Sequence, residues 1–308
     1  MKTSIMTTGA VDLLGIDEGF AAIKAAGFEA VDFNLDIFFV QKDNMDDEYF
    51  AQMMDEARVS DYIGSIKAAS EKYGVAIGQC HAPFPSYIPR KPKDTEIMRA
   101  FIRKSIELCA EVGCSHIVIH PCADGSARYP SITKAEEHQI NMDYYTSLIP
   151  LLKQYNVVCC LENMWCWDWG TKKAYISSCS DMNEACRYID ELNAIAGEKR
   201  FAFCLDIGHL LMLGIDPCNA LTALGYRVEA LHIHDNDGWG DDHTAPYLGV
   251  CNWDRFIKGL RSIGYQGNIS FETAPINRAY PKELIPAVLK LLGATAEYFR
   301  VRVLAEKK

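Results

Sequence analysis

The 308 residues include 41 acidic and 31 basic side chains, a formal net charge of −10, with 49% hydrophobic and 23% charged residues. This is the balance of a globular chain, not a disordered or fibrous one. An acidic chain without a cluster of Lys and Arg is expected to bind neither nucleic acid nor an anionic membrane, since both require phosphates to be neutralised.

Read in chain order, short β-rich runs alternate with longer amphipathic ones. The predicted elements are strand Thr3–Thr7, helix Asp17–Ala26, strand Ala30–Leu35, helix Asp61–Tyr73, strand Val75–Cys80 and helix Thr95–Val112. Strand His116–His120, helix Tyr144–Tyr155, strand Val157–Leu161, helix Asp181–Ala196 and strand Phe201–Leu205 follow. Strand Glu229–Ile233, helix Trp253–Ile263, strand Asn268–Phe271 and helix Pro281–Phe299 complete the series. Gly27, Gly74, Gly113 and Gly264 are expected at helix C-termini, and Thr133 and Asp181 as N-caps. Strands alternating with helices predict a parallel sheet, and about eight such units predict a closed (β/α)₈ TIM barrel of class α/β, one domain over residues 1–308. A dinucleotide-binding alternative would need G-x-G-x-x-G after the first strand, where Thr7–Thr8–Gly9–Ala10 stands.

No run approaches 18 apolar residues, so no membrane span is predicted. The first residues lack the apolar core of a signal peptide, and the twelve cysteines form no Cys-x-x-Cys pair. A reduced, cytoplasmic protein with mostly packing cysteines is expected.

In such barrels the chemistry collects where strands end. Strands three to eight end in His81, His120, Glu162, Asp206, His232 with His234, and Glu272. A single carboxylate after a strand means little, because turns favour Asp. Six consecutive ends converging on one rim are different, since burying that much charge without a cation is costly. Parity puts Val158, Cys160 and Glu162 on one strand face, with Ala202, Cys204 and Asp206, and Val228, Ala230 and His232, on the equivalent faces. A metal centre is predicted.

These residues carry a resemblance. His-Ala-Pro at 81–83, His-Pro at 120–121, Leu-Glu-Asn at 161–163 and Leu-Asp-Ile-Gly-His at 205–209 come first. His-Ile-His-Asp-Asn at 232–236, Asp-Asp-His at 241–243 and Phe-Glu-Thr at 271–273 follow. In this order the set resembles the xylose-isomerase-like barrel superfamily of sugar phosphate isomerases and epimerases, which also contains apurinic-site endonucleases. The resemblance implies one divalent metal held by Glu162, Asp206, His232 and Glu272. His234 is the rival of His232; His-x-x-Asp from His232 to Asp235 favours the former. Such an oxygen-rich set suits Mn²⁺ or Mg²⁺, with Co²⁺, Fe²⁺ and Zn²⁺ as competitors.

The implied activity is isomerisation or epimerisation of a sugar or sugar phosphate through a metal-stabilised ene-diolate, with Glu162 and Glu272 as the catalytic pair. His81, His120, His209, Asp241 and His243 are assigned to substrate binding, together with Trp165. The alternatives are a related lyase acting on an oxidised (C-)glycoside and an endonuclease with three zinc ions held by the wider His/Asp/Glu set. A non-catalytic sugar-binding barrel would be expected to lack one of the two glutamates, and neither is missing. A homo-oligomer is expected.

The run Met164–Trp165–Cys166–Trp167–Asp168–Trp169–Gly170 is read as a rim loop, either packed or at a subunit contact, or else an aromatic platform for a sugar or aglycone, with Phe84, Trp239 and Tyr247 completing its wall. Phosphate contacts have only Arg90, Arg128, Lys172, Lys173 and Arg278 as candidates. No lysine ends an inner strand, which argues against Schiff-base aldolase chemistry.

Overall fold

A computed structural model describes residues 1–43, 45–123 and 132–305. Its strands are β1 (Thr3–Met6), β2 (Ala30–Asn34), β3 (Ala76–His81), β4 (His116–Val118), β5 (Val158–Glu162), β6 (Trp165–Asp168), β7 (Lys173–Ile176), β8 (Phe201–Asp206), β9 (Val228–His232) and β10 (Ile269–Phe271). Its helices are α1 (Val11–Leu14), α2 (Ile16–Ala25), α3 (Asp47–Met53), α4 (Glu56–Tyr73), α5 (Pro92–Glu111), α6 (Lys134–Tyr155), α7 (Met182–Ala196), α8 (Ile207–Met212), α9 (Pro217–Leu224), α10 (Trp253–Ser262), α11 (Ala274–Arg278) and α12 (Ile285–Leu304).

Eight strands pair in parallel in the order β10-β1-β2-β3-β4-β5-β8-β9. The ring closes where Ile233 bridges Phe271: Ile233 N–H donates to the Ser270 carbonyl at 2.9 Å, and Glu272 N–H to the Ile233 carbonyl at 3.1 Å. This is the predicted (β/α)₈ barrel. The lumen below the rim is filled by Val118, Cys160, Ala202, Cys204 and Ala230, the last four of which parity placed there. Larger apolar side chains such as Phe28, Phe101, Leu148, Phe256 and Phe299 fill the layer between strands and helices.

The predicted helix ends hold. Gly27, Gly74, Gly113 and Gly264 all have positive φ. Asp181 caps α7, and Thr133 caps α6 in a box with Glu136. The cap sets the start of α6 at Lys134, ten residues ahead of the helix read from its apolar pattern. The largest departure is the tryptophan run, which forms an antiparallel β6–β7 hairpin rather than a loop. No helix among the described residues is long and apolar enough to cross a membrane.

Candidate active site

Glu162 ends β5, Asp206 ends β8, His232 ends β9 and Glu272 follows β10. The barrel brings three of these four together around one ring: His232 Nδ1 lies 2.9 Å from Glu162 Oε1 and 3.4 Å from Glu272 Oε2. Asp206 joins through His209, whose Nδ1 stands 3.7 Å from Asp206 and 3.9 Å from Glu162. Asp206 also caps α8, accepting the His209 N–H at 2.7 Å.

His232 and His234 have distinct surroundings. The second nitrogen of His232 is held by a residue absent from the sequence reading, Asp32 on β2, at 3.1 Å. Asp32 is itself fixed by Gln79, whose amide donates to it at 2.7 Å. His234 instead faces Asp206 at 3.1 Å and stacks on His243, with ring centroids 3.9 Å apart. Gly208 makes room for it: a Cβ there would fall 1.8 Å from the His234 ring. That contact explains the glycine of Leu-Asp-Ile-Gly-His.

Three of the remaining rim histidines share one device. His81 Nδ1–H donates to the Ala82 carbonyl at 2.7 Å, His209 Nδ1–H to Asn163 at 2.7 Å and His243 Nδ1–H to Glu272 at 3.0 Å. A carbonyl can only accept, so in each neutral ring the lone pair is left on Nε2. Those Nε2 atoms face inward. His81 Nε2 lies 3.1 Å from His120 Nε2, and His120 Nε2 lies 3.0 Å from Glu162 Oε2. His209 and His243 each place Nε2 3.3 Å from Asp241 Oδ2. Fixing a ring through one nitrogen so that the other faces a cation is how metal-binding histidines are held.

The electrostatics call for positive charge. Burial works to raise the Glu162 carboxyl, but His232 and His120 outweigh it and hold it well below the usual range. At Glu272 burial prevails and the carboxyl is raised. Burial disfavours the charged form of His81, yet Glu162 carries it up to about 9; His243 likewise reaches about 9 against burial, through Glu272 and Asp241. At His81 and His243 the carboxylates therefore favour the protonated ring, whereas burial lowers His120. Asp241 Oδ1, His234 Nδ1 and Asp32 Oδ1 are buried without hydrogen-bond partners. Orphaned oxygens beside inward lone pairs fit a divalent cation, and His81, His120, Glu162, His232 and Glu272 fall into triads with ligand spacing.

These groups line a cavity of about 350 Å³ that includes His81, His120, Glu162, His209, Asp241, His243 and Glu272. Phe84, Tyr87, Met164 and Trp165 form its apolar side, Phe84 stacked on His120 with centroids 4.9 Å apart. Trp239 and Tyr247 are not part of this wall: Trp239 lines a separate depression with Lys173, and Tyr247 packs on Trp253 and Phe299. No Lys or Arg among the described residues lines the cavity. Arg278 is paired with Asp12 at 2.8 Å, and Arg128 lies outside the described residues. A broader depression of about 600 Å³ opens at the other end of the barrel, but its His116, Lys199 and Glu229 bond to one another.

The family description "xylose isomerase-like TIM barrel" matches residues 20–292, most of the chain. The chain belongs to the xylose isomerase-like TIM barrel family. Among similar sequences, the uncharacterised protein MJ1311 of Methanocaldococcus jannaschii is 25% identical over 231 residues, 72% of this chain and 73% of that one. The uncharacterised protein y4fM of Sinorhizobium fredii is 37% identical over 75 residues, so the chain matches only 24% of its length, through 24% of its own. Among solved structures, a D-tagatose 3-epimerase-like protein is 20% identical, with TM-score 0.67 over 96% of this chain and 99% of its own. The 3-keto-D-glucoside 4-epimerase YcjR of E. coli, apo form, is also 20% identical, with TM-score 0.67 over 93% and 94%. The IolI protein with a bound zinc atom is 17% identical, with TM-score 0.66 over 99% and 98%. At these identities the likeness is one of fold.

Proposed function

We propose that this barrel is a divalent-metal-dependent isomerase or epimerase acting on an unphosphorylated sugar by proton transfer next to a carbonyl. The observation that carries the reading is the placement of Glu162 at the end of β5 and Glu272 just after β10, both beside His232 Nδ1 and both lining the cavity. Glu162, Asp206, His232 and Glu272 would hold the metal. When bound, it offsets negative charge developing on the substrate oxygens. Glu162 and Glu272 then exchange the carbon-bound proton from the two faces of the substrate, one as base and the other as acid. His81, His120, His209, Asp241 and His243 orient hydroxyls, while Trp165 and Phe84 cover the apolar ring face and exclude water. Among the described residues no Lys or Arg lines the cavity, which favours a free sugar over a phosphate ester. The similarity in fold to a 3-keto-D-glucoside 4-epimerase and to a D-tagatose 3-epimerase-like protein supports the same chemistry.

The test is a screen of free ketoses against their phosphates with Mn²⁺-loaded enzyme in deuterated water. Solvent label is expected on the carbon beside the carbonyl. Glu162→Gln and Glu272→Gln keep shape and an oxygen donor but lose basicity, so each should cost about 10²–10⁴-fold in rate with metal still bound. Near wild-type turnover by Glu272→Gln would remove this pair from the mechanism.

The apolar side of the cavity favours a second reading, in which an oxidised glycoside is cleaved and the aglycone lies on Phe84, Tyr87 and Trp165. Release of a free aglycone in the same screen would select it. The histidine-rich rim also bears on the endonuclease alternative, which the −10 charge opposes. An abasic-site duplex should be neither bound nor nicked at physiological salt, and metal-dependent nicking would reverse that assignment.

A further inference from the structure

Three cysteines meet on the outer wall of the barrel, away from the catalytic rim. Gln79 and His81 point into the lumen, so Cys80 between them faces α5. Cys109 lies in the last turns of α5. Gly113, at φ +74°, reverses the chain, and the Cys114 N–H returns to the Cys109 carbonyl at 2.9 Å. This helix-ending turn sets Cys109 and Cys114 side by side before any ligand arrives. All three sulfurs lie within 4.8 Å of one another. Cys80 and Cys109 are sealed, and Cys114 keeps a 6% opening on the loop side.

We propose that Cys80, Cys109 and Cys114 form a sulfur-only binding site for one thiophilic d¹⁰ cation, Cu⁺ or Zn²⁺. Metal–sulfur bonds of about 2.3 Å place three sulfurs around one ion roughly 4 Å apart, within the spacing found. The Cys114 thiol is held well below the usual range by the thiols of Cys109 and Cys80 directed at it, while burial raises Cys80. One sulfur of the three is thus prepared to bind as thiolate. Binding releases thiol protons to solvent. With all three sulfurs bound as thiolates, three protons are released, and the site carries a net charge of −1 with a divalent ion and −2 with a monovalent one. The cluster contains no histidine or carboxylate donor. That suits three-coordinate Cu⁺; Zn²⁺ would add a water at the opening beside Cys114. The thiols also touch carbonyls, Cys109 Sγ at 3.5 Å from Cys114 O and Cys114 Sγ at 3.4 Å from His116 O. These contacts hold the sulfurs in place and are weak enough to yield.

The experiment titrates reduced, metal-free, full-length protein anaerobically with chelator-buffered Cu⁺ and, separately, with Cd²⁺ as the spectroscopic substitute for Zn²⁺. The expected result is a sulfur-to-metal ultraviolet band that saturates near one equivalent in one arm or both, the arm identifying the ion. Such a band reports sulfur ligands, and because Cys204 lies within ligand spacing of Glu162 and His232, the cysteine variants rather than the band alone separate the cluster from the rim. Cys114→Ser, at the surface-facing position, should weaken binding at least tenfold with circular dichroism unchanged. Cys109→Ala should do the same, and Cys186→Ser, outside the cluster, should have no effect. No saturating band with either ion would overturn the site, as would a band left unchanged by both Cys114→Ser and Cys109→Ala. An oxidised Cys109–Cys114 pair, with no uptake by the reduced protein, would assign the cluster to disulfide chemistry and overturn the cation site as well.

Discussion

Asp32 sits midway along β2, fully buried, with one oxygen committed to His232 and Gln79 and the other without a partner. An ion-binding imidazole needs its far nitrogen held, and a carboxylate there both fixes the ring and raises its basicity. Asp32 therefore positions His232 so that Nδ1 faces Glu162 and Glu272. Asp32→Asn keeps the shape but removes the charge, and the affinity for Mn²⁺ or Zn²⁺ should fall about 10–100-fold. Competition with a chelator measures this without turnover, and an unchanged dissociation constant would show that His232 needs no such support. The strand ends were legible in the sequence because each carboxylate or imidazole follows an apolar run. Asp32 was not, because it lies inside a strand, where a buried acid has meaning only once its partner 200 residues away is known. His234 was visible as a rival ligand, but its stacking on His243 and its dependence on Gly208 belong to the tertiary structure.

The β6–β7 hairpin is the element that most changes the picture of the rim. Its strand signal was present as alternation: Cys166 and Asp168 are buried on one face, while Trp165 and Trp167 share the other. Four residues are too few for that period to stand out against a run read as aromatic and loop-like. As a hairpin, the segment has a fixed register, Trp165 opposite Ile176 and Asp168 opposite Lys173. Trp165 is held edge-on to His209, with centroids 6.4 Å apart, whereas Trp169 is 83% exposed. The three tryptophans should therefore separate by function. Trp165→Ala should raise KM several-fold with metal content unchanged, while Trp169→Ala should leave KM near wild type. Steady-state kinetics paired with metal analysis would distinguish them, and equal effects at both positions would point to a subunit contact instead. The short helices α1, α3, α8, α9 and α11 were missed for a related reason: runs of four to eight residues carry little helical period.

Across the whole molecule, the two ends of the barrel differ in how their charged groups are satisfied. The C-terminal rim concentrates buried carboxylates and histidines with orphaned atoms, an arrangement that costs the empty fold free energy and that a cation would relieve. The opposite end has the reverse character. There His116 on β4 meets Glu229 on β9 at 3.0 Å, and Lys199, just before β8, completes the group from the other side. These pairs join strands β4, β8 and β9 across the barrel floor, and every charge has a partner. Barrel enzymes commonly place stabilising interactions at this end and chemistry at the other.

That division yields a prediction with a defined pH dependence. Burial tends to raise the Glu229 carboxyl, but hydrogen bonds from His116 and Lys199 outweigh it and hold the carboxyl below its usual range. A carboxylate lowered in the folded state binds protons more readily when unfolded. Its stabilisation is therefore present above the unfolded value of about 4.3 and lost as pH falls through the lower folded value. Glu229→Gln should cost about 1 kcal/mol at pH 7, the scale of a hydrogen bond to a charged group discounted for the exposure of Lys199. The gap between wild type and variant should stay constant from pH 7 to about 5, then close below about 4 as the wild-type Glu229 carboxyl takes up its proton. Denaturant melts of the two proteins across that range measure the gap, and taking the difference cancels the acid sensitivity of the catalytic rim. Activity at neutral pH should be unchanged, because no atom of Glu229 reaches the catalytic cavity. A gap that widened in acid would show that burial dominates at Glu229, and a loss of turnover would show that the barrel floor is coupled to the rim.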